Sequence, residues 1–523
     1  MATGPARYAG PTAFRATSLY NPDHPPMDNR DAPLAGRGFL LLSLLILAAG
    51  LALAVYRLGE DSLWLDETYT WWFTRLDWGD LLRAARIDAV NPPLYYLFAK
   101  ALAIGNLGSG QGMWLSEAAL RLPSVLAQAA GIAAAIHLGD QLAGRVGGLA
   151  AGALWAAHPL ALWAARDARP YALSAALAAG VAAAFFSLRR SSSVRVSIFA
   201  GVGLALGLLT HYFFFVFAAA LVLLAASDLR QSPAFFRRWT VITLLALIPL
   251  ASWLAWFFSM GSPSLGIGWI RLPVLSDIPL TLWNLASGYG GVLDAWTALL
   301  GFAVIGIAAA GLGLAERAPW LKIAVAGLAV PMVAVWVVSQ RRPVYVDRYF
   351  VVLLPFVAAL FALGAQAIAE RARSDLRRRG RAIALTAAAG FAFAALGAGW
   401  SVHTAPKFEK EDWRGLAAFL QETEASGDSL SLSEPEIALP LSYYFDPQAT
   451  VKPPSLIPSC VTTCWWVKRQ PYTATHALTQ SVAEPGRANL PDVPPWCDQL
   501  DVWESPTGVA VWKIDCARDA TDE

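Results

Sequence analysis

The sequence predicts a mainly α protein: a polytopic membrane helical bundle of about eleven spans, followed by a small α/β domain on the outer side. Three observations predict it. Only 15% of the residues are charged, against roughly 25% in soluble domains, and the deficit is concentrated in long apolar runs. Arginines gather in alternate loops between those runs. All four cysteines, Cys460, Cys464, Cys497 and Cys516, stand in the segment 401–523.

Crossing the bilayer core takes about 20 apolar residues in a helix. Runs that meet or approach this length lie at 39–58, 119–141, 146–164, 170–188, 195–209, 211–227, 238–258, 292–314, 321–339, 348–368 and 381–400. The fifth and sixth are short. With this count, Arg189, Arg190 and Arg195 share a side with Arg230, Arg237 and Arg238, with the Arg371–Arg381 cluster, and with Arg30 and Arg37. Positive loops face the cytoplasm, so the N-terminus is expected inside and the C-terminus outside. The tryptophans crowd the ends of the runs, as interfacial belts do.

Parity decides one further segment. Residues 93–107, PLYYLFAKALAIGNL, are short and contain Lys100; counted as a crossing, they would turn every later arginine loop outward. They are expected to lie along the membrane surface, within a first outer loop spanning 59–118. Residues 1–38 have no apolar pattern and read as a disordered cytoplasmic tail, which makes the first run an uncleaved span rather than a signal peptide.

Cysteines confined to one outer segment suggest disulfides in an oxidising compartment, with Cys497–Cys516 and Cys460–Cys464 as the expected pairs. A four-cysteine zinc site is the alternative, although paired C-x2-C knuckles are absent. Within 401–523, a helical pattern (DWRGLAAFLQE) alternates with short apolar runs (SLSLSE, GVAVWKI), while 446–496 is Pro-rich and loop-like. This outer segment could recognise an acceptor or serve as a structural lid. No nucleic-acid partner is expected: the formal charge of +2 is uninformative, and no basic stripe with interleaved aromatics appears.

The candidate chemistry lies at the outer ends of the spans. The first outer loop begins GEDSLWLDETYTWW, which sets Asp66 and Glu67 between tryptophans at headgroup depth. A carboxylate there is placed to act as base on a lipid-borne substrate, or is simply a solvated loop end. VNPPLYY (90–96), ALRLPS (119–124), ARDARPYAL (165–173) and QRRPVYVDRYF (340–350) follow. They carry Arg121, Arg169 and Arg348 on the side where positive charge should be scarce. Arginines at membrane depth are costly and need partners; forked guanidiniums suit phosphate, and Asp61, Asp167, Asp347 or lipid headgroups would also serve. His211, in LLTHYFFF, taken alone reads as a packing histidine.

The ordered set LWLDE, NPPLYY, ALRLPS, ARDARPYAL, THY and DRYF resembles the GT-C membrane glycosyltransferases, the family that includes the protein O-mannosyltransferases and the aminoarabinose transferase of lipid A. The resemblance runs from residue 39 to about 370, and EDWRGLAAFL (411–420) resembles the opening of the outer domain in related chains. It implies transfer of one sugar, with inversion, from a polyprenyl-phosphate donor to a glycan, lipid or protein acceptor at the plasma (inner) membrane. It implies Asp66 as catalytic base beside Glu67. Arg169, Arg348 and Arg121 would bind the carrier phosphate, and Asn91, Tyr171, His211 and Tyr349 are candidate substrate contacts. Two positions depart from the common pattern: Asn91 where HPP is usual, and Arg166-Asp167 where Gln-Glu is frequent. No cofactor is implied; with several arginines at hand, a divalent metal is the less favoured alternative. A polyprenyl-lipid flippase or polysaccharide export component is the competing function, against which stands the gathering of polar residues on one face. A polymer-forming or oligosaccharyl ligase would share the location and act on a longer donor.

Overall fold

The structure, a computed structural model, describes residues 36–88, 90–104, 116–259, 270–288, 294–314, 317–374, 378–405, 408–423, 429–432, 435–444, 463–469, 498–505 and 509–515. The expected tail, except its last three residues, and the side chains of all four cysteines lie outside the described residues.

The chain is a multi-pass membrane protein: among the described residues, eight helices are long and apolar enough to cross a bilayer. Helix α1 (Gly36–Val55) leads into a segment of three short helices, α2 (Leu65–Arg75), α3 (Trp78–Asp88) and α4 (Leu94–Ile104). At 1.5 Å per residue, α4 reaches about 16 Å and cannot cross a core of about 30 Å.

Helix α5 (Glu117–Ala157) carries two expected spans as one hairpin. Gly144 breaks it with φ 71° and ψ −177°, a region open essentially to glycine alone. The two arms return on each other so closely that Trp155 packs against Gly131, and its indole donates to Gln128 Oε1 at 3.2 Å. The second arm ends earlier than expected, because Pro159 cannot continue it; α6 (Pro159–Ala165) resumes the apolar run. Then follow α7 (Tyr171–Arg190), α8 (Val194–Thr210) and α9 (Phe214–Ala226). The last two are short and separated by His211. Helix α10 (Pro233–Phe258) precedes α11 (Asp277–Ser287), a short helix that had not been expected.

Helix α12 (Ala295–Leu314), α13 (Arg317–Lys322) running on through Ile323–Ala329 into α14 (Val330–Ser339), and α15 (Leu354–Ser374) close the bundle with α16 (Arg378–Ser401). A Cβ on Gly364 of α15 would strike the Ile307 carbonyl of α12, so that crossing depends on glycine. Helix α15 is entered through a 3-10 turn, Asp347–Leu353.

Beyond the bundle, α17 (Trp413–Thr423) and α18 (Ala438–Tyr444) pack on a four-stranded sheet of order β1-β2-β4-β3. The strands are β1 (Ser429–Leu432), β2 (Thr463–Arg469), β3 (Asp498–Glu504) and β4 (Val509–Asp515). β1 and β2 are parallel and the other pairs antiparallel. Trp413, Leu416, Ala417 and Leu420 recur at helical spacing on α17 and are buried. β2 corrects the loop reading of 446–496: TCWWVKR is rich in strand-forming residues and is paired on both sides.

Candidate active site

Helix α2 begins at Leu65, and its first turn carries Asp66 and Glu67, where negative charge suits the helix N-terminus. Glu67 folds back on the chain, and its Oε2 accepts from Trp64 N at 3.4 Å. Its carboxylate is fully buried. Oε1 accepts from Arg121 Nε and from Ala168 N, each at 2.8 Å. Oε2 accepts from Arg121 Nη2 at 2.8 Å and pairs with Lys410 Nζ at 2.9 Å. Burial pushes this carboxyl up, but Arg121 and Lys410 outweigh it and hold the group at about 2. Glu67 is therefore an anion around neutral pH, with both carboxylate oxygens engaged.

Arg121 is correspondingly engaged. Besides its two bonds to Glu67, it donates to the carbonyls of Leu58 at 2.6 Å, Asp61 at 3.1 Å and Ser62 at 2.9 Å. A guanidinium has five N–H donors, and all five are used in a residue 1% exposed. So engaged, Arg121 ties the segment after α1 to α2. Arg166 plays a similar part, donating to Ala54 O at 3.3 Å and to Asp61 Oδ2 at 3.2 Å.

Asp66 points elsewhere. Its carboxylate is half-buried, and among the described residues it has neither an ion pair nor a hydrogen bond. Its charge reaches Tyr171 and Tyr349. Arg169 Nη1 donates to Asp66 O at 3.1 Å and to the Tyr96 hydroxyl at 3.2 Å. Arg348 Nε donates to the Tyr171 hydroxyl at 3.3 Å, and its guanidinium lies 5.8 Å from the Trp64 ring centroid and 5.6 Å from that of Tyr349. Tyr171 and Tyr349 stack at 6.1 Å, with His211 5.7 Å from the first ring and 5.0 Å from the second. The charges of Arg169 and Arg348 both reach His211.

Six of the candidate residues, from four separate stretches of chain, thus meet in one cluster: Asp66, Arg169, Tyr171, His211, Arg348 and Tyr349. Asn91 is buried ahead of α4, and among the described residues no hydrogen bond joins it to this cluster. Two backbone features set the arginines. The loop 165–170 is pinned through Ser124 Oγ to Asp167 O at 2.6 Å and through Thr70 Oγ1 to Ala168 O at 2.7 Å. The 3-10 turn is pinned by Asp347, whose carboxylate accepts from Arg348 N and from Asn284 Nδ2, each at 2.8 Å.

Lys410 was missed. It lies just ahead of the EDWRGLAAFL motif, where a charge run before an amphipathic helix reads as solvated surface. Its side chain is 7% exposed, beside Glu67 and Asp167. Its neighbours dock the same way: Glu411 Oε2 accepts from Leu65 N at 3.1 Å, and Arg414 donates to Glu60 O at 2.8 Å. Among the described residues, no group of three or more His, Cys, Asp or Glu is placed to hold a metal ion.

A family model described as dolichyl-phosphate-mannose-protein mannosyltransferase matches residues 110–256. No curated protein matches the sequence. ArnT from Cupriavidus metallidurans in the apo state is similar in structure, with TM-score 0.57 and 13% identity over 90% of this chain and 97% of ArnT. The same protein bound to undecaprenyl phosphate gives TM-score 0.52 and 14% identity over 92% and 98% of the two chains. The Archaeoglobus fulgidus oligosaccharyltransferase in its apo form gives TM-score 0.50 and 12% identity over 78% of this chain and 64% of that one. At such identities the likeness is one of fold: the resemblance to GT-C membrane glycosyltransferases read from the motifs holds at that level.

Proposed function

We propose that this chain is a membrane glycosyltransferase that moves one sugar from a polyprenyl-phosphate donor to an extracytoplasmic hydroxyl acceptor, with inversion. Asp66 takes the proton of the acceptor hydroxyl. The acceptor oxygen then bonds to the anomeric carbon as the bond from that carbon to the phosphate oxygen breaks, and the electron pair leaves with the phosphate. Arg169 and Arg348 stabilise that charge. Phosphate leaves readily, so the rate rests on the base and on the stabilised leaving group.

The observation that carries this reading is the contrast between adjacent acids. Glu67 is spent on Arg121 and Lys410, whereas the Asp66 carboxylate is unpaired among the described residues and its charge reaches the tyrosines beside Arg348. That ArnT binds undecaprenyl phosphate on a similar fold supports a polyprenyl phosphate as donor. Counting the α5 arms separately, and α8 and α9 as crossings, gives eleven spans, with the N-terminus in the cytoplasm and the site outside.

Sugar transfer from polyprenyl-phosphate donors by purified variants tests the proposal. A positioned general base contributes about 100- to 10,000-fold, so Asp66→Asn should lose at least the lower figure in turnover while still binding donor. Arg348→Ala should weaken donor binding by roughly tenfold or more, the worth of a charge-assisted hydrogen bond. Near wild-type turnover by Asp66→Asn would remove the base from this position.

A further inference from the structure

Lys410 belongs to the segment between α16 and α17, yet its ammonium lies inside the outer end of the bundle. It donates to Arg166 O at 2.8 Å, pairs with Glu67 Oε2 at 2.9 Å and lies 3.6 Å from Asp167 Oδ1. An ammonium has three donors, and three acceptors surround this one. Two buried carboxylates, Glu67 and Asp167, thereby meet two buried cations, Arg121 and Lys410, so the quartet balances only when the C-terminal segment is docked.

Both carboxylates lead to the reacting groups. Glu67 sets the first turn of α2, from which Asp66 projects. Asp167 Oδ1 accepts from the Trp64 indole at 2.8 Å, and that indole flanks Arg348. The other oxygen of Asp167 is buried without a hydrogen-bond partner, so no further donor replaces Lys410 there.

We propose that Lys410 is a positioning residue of the transfer reaction: it neutralises the Glu67–Asp167 pair and so fixes Asp66 and the Trp64–Arg348 contact. The proposal rests on the glycosyl-transfer reading above. The groups facing Asp167 are Glu67 and Trp64, Lys410, Arg169, Tyr95 from α4 and Tyr171 from α7. Burial raises Asp167 to about 6, with Glu67 adding to the rise and Lys410 opposing it. Without Lys410 the group rises further, and a proton takes over the neutralising role at low pH.

The test uses full-length protein in detergent as wild type, Lys410→Met, Lys410→Arg and the double variant Lys410→Met/Asp167→Asn. Thermal melting at about pH 8 and about pH 5.5, either side of a carboxyl near 6, needs no substrate. Lys410→Met should lose more Tm at the higher pH, and the double variant should lose that pH dependence. In the transfer assay, Lys410→Met should lower kcat about 100-fold, the cost of a base misplaced by about 1 Å, with a smaller change in donor KM. Its activity relative to wild type should rise as pH falls, and the double variant and Lys410→Arg should recover much of it. A pH-independent loss of Tm shared by the double variant, or an unchanged kcat, overturns the proposal. If Lys410→Met does not fold, a folded double variant that still lacks turnover overturns it equally. If the wild type transfers no sugar, the functional reading falls, while melting still decides the charge role of Lys410.

Discussion

Asp66 and Glu67 are adjacent on a helix, where successive side chains diverge by about 100°, and their surroundings diverge accordingly. Glu67 is a buried anion whose folded pKa of about 2 lies below its ordinary 4.5. Its contribution to stability is therefore present above about pH 4.5 and lost as pH falls towards 2. Asp167 runs the other way: it is raised from 3.8 to about 6, so its contribution is present below about pH 3.8 and lost as pH rises through 6. Glu67→Gln leaves Arg121 and Lys410 without their counter-charge, and breaking a buried pair costs about 3–5 kcal/mol. We expect this variant to melt well below wild type at neutral pH, by a margin that narrows under acid conditions where wild-type Glu67 itself takes a proton. A margin independent of pH would show that the loss is not electrostatic.

At the scale of elements, the C-terminal sheet carries a prediction that its strand register supports. β3 and β4 pair Asp498 with Asp515, and each of these residues neighbours a cysteine in sequence, Cys497 and Cys516. We expect these two to be joined, with Cys460 and Cys464 forming a second, small loop. Closing a loop of about 20 residues is worth about 3 kcal/mol. Peptide mapping of alkylated, unreduced protein should recover both crosslinks; four alkylated thiols from oxidised material would refute them, and bound zinc would favour the alternative. Helix-scale features follow steric rules in the same way. Gly144 permits the α5 hairpin through its backbone angles, and Gly364 permits the α12–α15 crossing through its missing side chain.

The whole molecule is polar at two ends that differ in kind. At one, Asp228 is buried between Arg189 and Lys322, and Arg238 reaches Ser191 O; these are the arginine-bearing turns after α7 and α9. At the other are the Asp66 cluster and the docked EKEDWRG segment. By the positive-inside rule we expect the first end to face the cytoplasm. Reporter fusions after Gly110, Ser192 and Trp400 should therefore read outside, inside and outside. A cytoplasmic signal at Gly110 would mean that α4 crosses the membrane and that the parity is wrong.

Much of this was already present in the sequence, because membrane insertion reads local properties. Apolar run length determined the long helices, and the Trp- and Arg-bearing motifs where polar groups emerge, whereas the break at Pro159, inside the expected run 146–164, came only with the structure. Motif order was enough to suggest Asp66, Arg169 and Arg348. What sequence could not assign was which charges neutralise one another, since ion pairing depends on distances between segments far apart in the chain. Arg121 and Arg348 look alike as outer arginines; one has all its donors bound to the chain, while the other lies among the rings of Trp64, Tyr171 and Tyr349. Lys410 looks like solvated surface until the fold buries it against Glu67 and Asp167. Burial turns a charge into a fixed partner, and burial is decided only when the outer segment, α2 and the loop before α7 come together.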